Sequence, residues 1–206
     1  MPPKDAPDIV VRRLPYYMRA LAQAAERDQT VVSSQELGAW LGVSPAQIRK
    51  DLSYFGEFGK QGLGYEVAYL RDQLRAILRA DRDWQVVLVG AGALGTALAH
   101  YPVFTYGQFP IVAVFDNDPA KHDRRLREDL VVQPVAGMEQ AICDRGIRVG
   151  ILAVPAGAAQ EVAEGLVACG IEAILNYAPI RLSLPEHVRV QDIDPVAVLQ
   201  SMTYYL

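Results

Sequence analysis

Val86-Val87-Leu88-Val89-Gly90-Ala91-Gly92-Ala93-Leu94-Gly95 runs four apolar β-formers straight into a G-x-G-x-x-G turn, and a helical pattern follows over 92–101. Each glycine in this order has its own task. Gly90 makes the tight turn out of the strand, Gly92 lets the backbone come close to a pyrophosphate, and Gly95 permits close packing of helix on strand. The helix that begins here aims its free N–H groups and partial positive charge at the same place. Alone, the spacing is a weak signal; its context strengthens it. The next apolar run, 111–115, leads into Asp116, 21 residues beyond Gly95 and placed to accept hydrogen bonds from the ribose hydroxyls of a dinucleotide. A carboxylate there repels the 2′-phosphate of NADP. Asn117 and Asp118 follow it rather than an arginine, so NAD+ or NADH is the expected ligand.

Outward from this stretch, short β-rich runs at 85–89, 111–115, 149–154 and 173–175 alternate with helix-length segments such as 92–101 and 158–169. Fully apolar strands interleaved with helices mean a parallel sheet covered on both faces. The expectation is a Rossmann-type α/β domain over residues 81–190, bounded near 81–83. The remaining residues leave no room for a separate substrate domain. His100, His122 and His187 are scattered, none with a partner at recognisable spacing. His122 lies in a charged loop and is read as solvated; His100 is either exposed or near the ligand. Catalytic acid–base pairs can be distant in sequence, so a compact NAD-dependent oxidoreductase stays open as an alternative. So does a Rossmann protein for another nucleotide or coenzyme A.

Composition narrows the setting. The longest apolar runs fall far short of the ~18–20 residues of a membrane span, and the proline-rich residues 1–8, read as a flexible lead, hold no apolar signal core. Cys143 and Cys169 lack metal-ligand spacing and are too few for a disulfide framework, so they are expected as small buried side chains in helices. A cytoplasmic protein without membrane or metal fits. Net charge is −4, unevenly spread: residues 1–79 carry +2 and residues 80–206 carry −6. A mildly basic front and an acidic back suit a DNA-contacting module joined to a domain that avoids DNA.

The front has its own grammar. Leu14, Tyr17, Met18, Leu21, Ala22 and Ala25 recur at helical spacing, with Pro15 read into a first turn. Ser33 and Glu36 form a capping-box pattern for a helix that Gly42 can end. Ser44, Pro45 and Gln47 open the next helix as N-cap, first helical residue and third position after the cap. Two short helices around a glycine turn have the helix–turn–helix rhythm. If Ile48 and Leu52 face inward, Gln47, Arg49, Lys50 and Ser53 lie on or beside the outward face, with Ser44 at its start, as donors for base edges and phosphates. Gly56, Gly59, Gly62 and Gly64, with Lys60 near their centre, are read as a wing narrow enough to approach a minor groove. Helical spacing resumes at Val67, Leu70, Leu74, Ile77 and Leu78. Residues 1–80 are thus expected to form a winged-helix DNA-binding domain.

Arg49-Lys50-Asp51-Leu52-Ser53-Tyr54-Phe55-Gly56 followed by Gly59-Lys60-Gln61-Gly62-Leu63-Gly64-Tyr65 resembles the Rex redox-sensing repressors. So do Leu14-Pro15, Tyr17, the glycine turn at 90–95, Phe115-Asp116, Asn176-Tyr177-Ala178-Pro179 and Tyr204-Tyr205-Leu206, so the resemblance runs from about residue 9 to the last residue quoted. It implies a homodimer that holds a palindromic double-stranded operator when NADH is low and leaves it when NADH rises. Arg49, Lys50 and Lys60 are then implied as DNA contacts. Gly90, Ala91, Gly92, Ala93, Leu94, Gly95 and Asp116 are implied on the dinucleotide, with Tyr101, Val154, Pro155, Asn176, Tyr177, Ala178 and Pro179 toward its nicotinamide end. Arg19 and Asp194 match a pair that changes partners between states.

Two positions depart from the family pattern. Ala93 stands where a longer polar or basic residue is usual, and Pro195 where a bulkier apolar residue can reach the partner's nicotinamide. The terminal segment 191–206 is read as a dimerisation helix exchanged between subunits. Asp194-Pro195 is a good helix opening, and Val196, Val198, Leu199, Met202, Tyr204, Tyr205 and Leu206 leave hardly any polar face, so burial on more than one side is expected. Asp194 can also be read simply as the N-cap of this helix, and one carboxylate can cap in one state and pair in another.

Overall fold

The chain divides into two units, Met1–Arg82 and Asp83–Leu206; the computed structural model describes residues 6–60 and 62–206, with Lys60 described by its backbone alone. In the first unit α1 (Asp8–Ala25), β1 (Val31–Val32), α2 (Ser34–Leu41), α3 (Pro45–Ser53), β2 (Gly59–Lys60), β3 (Gly64–Glu66) and α4 (Val67–Ile77) follow in order. β3 lies between β1 and β2 and is antiparallel to both. Helices backed by a small antiparallel sheet that ends in the β2–β3 pair make a winged helix.

Local chemistry sets these boundaries. The Ser33 hydroxyl accepts from the Glu36 N–H while Glu36 accepts from the Ser33 N–H, so the capping box that opens α2 is complete. Gly42, at φ 65°, ends α2 in the left-handed conformation that glycine adopts without strain. The Ser44 hydroxyl accepts from the Gln47 N–H at 3.2 Å and starts α3. α1 corrects one expectation: it begins at Asp8, so Pro15 sits in the helix interior and not in a first turn. A proline there removes one helical hydrogen bond and costs about 3 kcal/mol. Its neighbours Leu14 and Tyr17 are buried in the core on either side of it, and that burial keeps the helix going.

Among the described residues of this unit one charged side chain is fully buried. Leu14, Tyr17, Leu21, Leu37, Ile48, Leu52, Leu70 and Leu74 belong to the unit's core, and the Asp51 side chain of α3 is 0% exposed. Its carboxylate accepts from Arg13 Nε at 2.6 Å and Nη2 at 2.8 Å, from the Tyr17 hydroxyl at 2.5 Å and from Gln47 Nε2 at 2.7 Å. Burial by itself would raise the Asp51 pKa. The hydrogen bonds from Arg13, Tyr17 and Gln47 outweigh it and hold the carboxyl below its usual range, while burial and Asp51 push the Tyr17 phenol up. α1 and α3 are therefore tied by a charged clamp as well as by apolar packing.

The second unit runs β4 (Val86–Val89), α5 (Ala93–His100), α6 (Val103–Tyr106), β5 (Ile111–Asp116), β6 (Arg125–Arg127), β7 (Leu130–Pro134), α7 (Met138–Arg145), β8 (Val149–Leu152), α8 (Ala156–Ala168), β9 (Ala173–Asn176), β10 (Arg189–Asp192) and α9 (Pro195–Thr203). The sheet order is β10-β9-β8-β4-β5-β7-β6, parallel throughout except for the β6–β7 pair. β4 sends Val87 and Val89 into one core and Val86 and Leu88 into the other, as a strand covered on both faces must. Chain order reverses at β4, whose neighbours are β5 and β8. Such a switch point leaves a crevice beyond the carboxyl ends of the strands. Arg127 staples this side, donating to the Ala99 carbonyl at 2.9 Å and the Ile111 carbonyl at 2.7 Å.

Two further expectations need amendment. β10 carries the sheet to Asp192, beyond residue 190. Cys143 is exposed, because the buried stripe of α7 is Met138 and Ile142 and the next residue turns away from it. Cys169, at the end of α8, is half-buried, and burial raises its thiol pKa. In the single chain α9 buries none of its residues.

Removing one partner of the Asp51 clamp strands a buried charge. Arg13→Met is expected to cost about 3–5 kcal/mol in denaturant unfolding, and the double change Arg13→Met/Asp51→Leu distinctly less than Arg13→Met alone. Because the Asp51 pKa is depressed on folding, its contribution is complete above the usual carboxylate range and is lost as pH falls through the folded value. Acid titration of wild type against the double variant should show that difference.

Candidate nucleotide and nucleic-acid sites

At the carboxyl end of β4 the backbone is packed too closely for side chains. Gly90 has φ +102°, and a Cβ on it would stand 2.3 Å from the Ala153 carbonyl oxygen after β8. A Cβ on Gly95 would stand 1.8 Å from the Gly90 carbonyl oxygen. Gly92 differs: among the described residues nothing lies within 4 Å of a Cβ built there, and it is the N-cap of α5. The three glycines thus divide the labour of a phosphate-binding turn, two for close packing and one facing open space. Ala93 and Leu94 form the exposed first turn of α5 beside it, and Ala91 is buried beneath.

Asp116 at the end of β5 is occupied from within the protein. Its carboxylate accepts from the Ala91 N–H at 2.7 Å, the Asp118 N–H at 2.9 Å and the Lys121 ammonium at 3.0 Å. Burial raises its pKa, but these donors prevail and keep it ionised below the usual range. A ribose diol would have to share this carboxylate. Lys121 also offsets part of the charge on which rejection of a 2′-phosphate rests. Lys121 and Arg124, in the loop after Asp116, carry no motif that points to such a role. Lys121 holds Asp116, and Arg124 donates to the Ala91 carbonyl at 2.6 Å and to Thr96 Oγ1 at 2.8 Å, so both cations flank the glycine turn. His122 is half-buried, not solvated: its Nε2 lies 2.9 Å from the Asp116 carbonyl oxygen. The signal available was two cations five and eight residues beyond Asp116.

At the neighbouring strand ends, Val154 lies directly beside Gly90 and Pro155 caps α8. After β9 the chain turns through Asn176, Tyr177, Ala178 and Pro179. Asn176 is fully buried and committed to shaping that turn, donating to the Ile180 carbonyl and to Asp192 and accepting from the Ala178 N–H. Tyr177 is half-buried, with its phenol pushed up by burial, Ala178 is buried, and Pro179 is exposed. Tyr101 stands at the far end of α5 from the glycine turn. It is the C-cap of α5, about 12 Å along the helix from the glycine turn, with its ring tilted on Phe104. His100 is exposed, its ring bonded to the carbonyl of Thr96 in its own helix.

In the first unit Arg49, Lys50 and Ser53 share the exposed face of α3. Arg49 donates to the Ser34 hydroxyl at 2.9 Å, and Ser53 to the Lys50 carbonyl. A groove of about 940 Å³ runs between the start of α2, this face and the wing, lined by Ser33, Ser34, Arg49, Ser53, Phe58 and Tyr65 among others. Gln47 is half-buried at the edge of the face, its amide turned onto Asp51, and Ser44 serves as the α3 cap. The Lys60 side chain falls outside the described residues. Arg19 is exposed on α1, 5.8 Å from the centre of the Tyr16 ring. Asp194 caps α9 through the Val196 and Ala197 N–H groups. Among the described residues no His, Cys, Asp and Glu cluster could hold a metal ion, and no helix is long and apolar enough to cross a membrane.

Both units match known proteins. The family profile described as "Putative DNA-binding protein N-terminus" matches residues 5–53, ending with α3, and the one described as "CoA binding domain" matches residues 81–180, from just before β4 to just beyond β9. The redox-sensing transcriptional repressor Rex of Chloroflexus aggregans is 53% identical over 200 residues, covering 97% of this chain and 94% of its own. The chain belongs to the Rex family. Solved structures of the Rex family agree along its length. The crystal structure of RSP in complex with beta-NAD+ and operator DNA superposes with a TM-score of 0.92 at 37% identity, over 98% of this chain and 93% of that one. RSP, a Rex-family repressor, in complex with beta-NADH gives 0.87 at 35% identity, over 98% and 95%.

The contact of Gly95 with the Gly90 carbonyl yields a test. Gly95→Ala forces α5 off β4, as overpacking does, at a cost of about 1–3 kcal/mol or more. Calorimetry should show the dinucleotide affinity of this variant reduced at least tenfold, whereas Ala93→Ser, on the open side of the turn, is expected to leave it within about twofold.

Proposed function

We propose that this chain is a redox-sensing transcriptional repressor that binds a palindromic operator as a homodimer and leaves it when NADH binds. One observation carries the reading: a single chain holds a winged helix with an exposed Arg49–Lys50 face and, in a second unit, a phosphate-binding glycine turn at the switch point of a parallel sheet. In this reading α3 enters the major groove, where arginine and lysine find guanine and the phosphates, and the wing with Lys60 lies along the adjacent minor groove. Residues 1–80 serve DNA, 81–190 the dinucleotide and 191–206 dimerisation, and the protein works in the cytoplasm. An oxidoreductase has no use for an exposed basic helix beside a glycine wing.

The sensor rests on charge. NADH and NAD+ differ only at the nicotinamide, neutral in one and cationic in the other. A ring lodged toward Val154, Tyr177 and Pro179 and closed in by a second subunit favours the neutral form, because burying an unpaired cation is costly. RSP, found with NAD+ and operator DNA together and separately with NADH, supports the same ordering here. Dimerisation accounts for α9, whose Val196, Val198, Leu199 and Met202 are each more than half exposed in the single chain. Exchange of α9 between subunits would bury them. Two recognition helices must then meet half-sites at a spacing fixed by the duplex, and a shift of the subunits on NADH binding spoils it. Arg19 and Asp194, one in each unit, are the proposed reporters of that shift.

The experiment is fluorescence anisotropy of a labelled operator titrated at saturation with each nucleotide. NADH is expected to weaken operator binding roughly 5–150-fold, NAD+ far less, and by linkage operator DNA must weaken NADH binding by the same factor. Equal release by NAD+, or none by NADH, would leave a nucleotide-binding DNA protein without a redox sensor.

A further inference from the structure

The Asp51 clamp does more than hold two helices together. It decides which way a side chain at the start of the recognition helix faces. Gln47 is the third residue of α3, in the first turn, the part of a recognition helix that reaches base edges. Its Nε2 lies 2.7 Å from Asp51 Oδ1. Turned over, its amide would set oxygen against oxygen at that distance, so an ionised Asp51 permits a single orientation. Arg13 and Tyr17 occupy the rest of the carboxylate and keep it from rotating.

With one N–H given to Asp51, the Gln47 amide keeps, among the described residues, its oxygen and one further N–H for a ligand. An acceptor beside a donor is the complement of adenine in the major groove, which offers the N6 amino group beside N7. Guanine offers O6 and N7, two acceptors, and would put O6 against the fixed Gln47 oxygen. Thymine offers an acceptor and a methyl group, cytosine a lone donor. A tethered amide also loses less rotamer freedom on binding than a free one.

We propose that Gln47 is a specificity-determining residue that reads an adenine in each operator half-site, and that Asp51, gripped by Arg13 and Tyr17, is the positioning residue that aims it. The proposal rests on the reading of the first unit as operator-binding and goes beyond it in naming the base and the device.

The test selects bound duplexes from random DNA with the full-length wild type, Gln47→Met and Asp51→Asn, after circular dichroism confirms folding. Wild type should demand adenine at one position per half-site by about tenfold. Gln47→Met should lose that preference at that position and keep the others. Asp51→Asn, whose side chain can present either oxygen or nitrogen, should relax the same position, whereas a merely structural role would weaken all positions alike. Replacing the adenine with purine, which lacks the amino group, should cost wild type about tenfold and Gln47→Met little, a comparison that stands even if Asp51→Asn does not fold. A Gln47→Met selection identical to wild type, or a relaxed position that holds guanine, overturns the proposal alone. A wild type that selects no sequence overturns the operator-binding reading with it.

Discussion

The second unit depends on two backbone contacts that no side chain could survive, Gly95 against the Gly90 carbonyl and Gly90 against the Ala153 carbonyl. They fix α5 directly above the end of β4 and bring β8 alongside. The start of α5 is then left facing open space at Gly92, so partial positive charge gathers where an anion can approach. Asp116 adds the third strand by holding the Ala91 N–H, and Lys121 and Arg124 are drawn in after it. Once the helix meets the strand at that distance, the remaining parts of the crevice have their places.

The first unit solves a different problem with different means. Its core is small, and a buried ion pair is weak grounds for stability, since apolar residues of equal volume often serve as well. What the Asp51 clamp supplies is direction. Apolar packing is tolerant of rotation about a helix axis, whereas a carboxylate with four donors at 2.5–2.8 Å is not. A helix that must present particular groups to a duplex gains more from such a fixed bearing than from extra apolar area.

Features that depend on the local backbone were legible in the sequence. The glycine turn, the Ser33–Glu36 box, the Gly42 stop and the Ser44 cap all rest on residues within a few positions of each other, and each forms as its pattern required. Strands β4, β5, β8 and β9 announced themselves because burial on both faces leaves them apolar. β6 and β10 did not: edge strands tolerate Arg125, Arg127, Gln191 and Asp192, and their alternation is lost among loop residues. The Asp51 clamp was hidden because its partner Arg13 lies 38 residues away. Asn176 carried a family resemblance toward the ligand, while its buried amide builds the turn that follows β9. Local patterns point to candidate sites; which side chains are spent inside the protein depends on long-range contacts that no local pattern encodes.

The two margins of the seven-stranded sheet have a consequence for solubility. An unpaired strand edge is a template on which further chains can stack without limit. Here one margin is β6, three residues long, antiparallel to its neighbour and irregular in register between Arg125 and Arg127. The other is β10, four residues of mostly exposed, mostly polar sequence. Neither offers a long, flat ladder, so growth into filaments by strand addition is blunted at both ends. A chain with blunted edges can associate only through its side-chain surfaces, and a two-fold contact between such surfaces closes on itself and does not propagate.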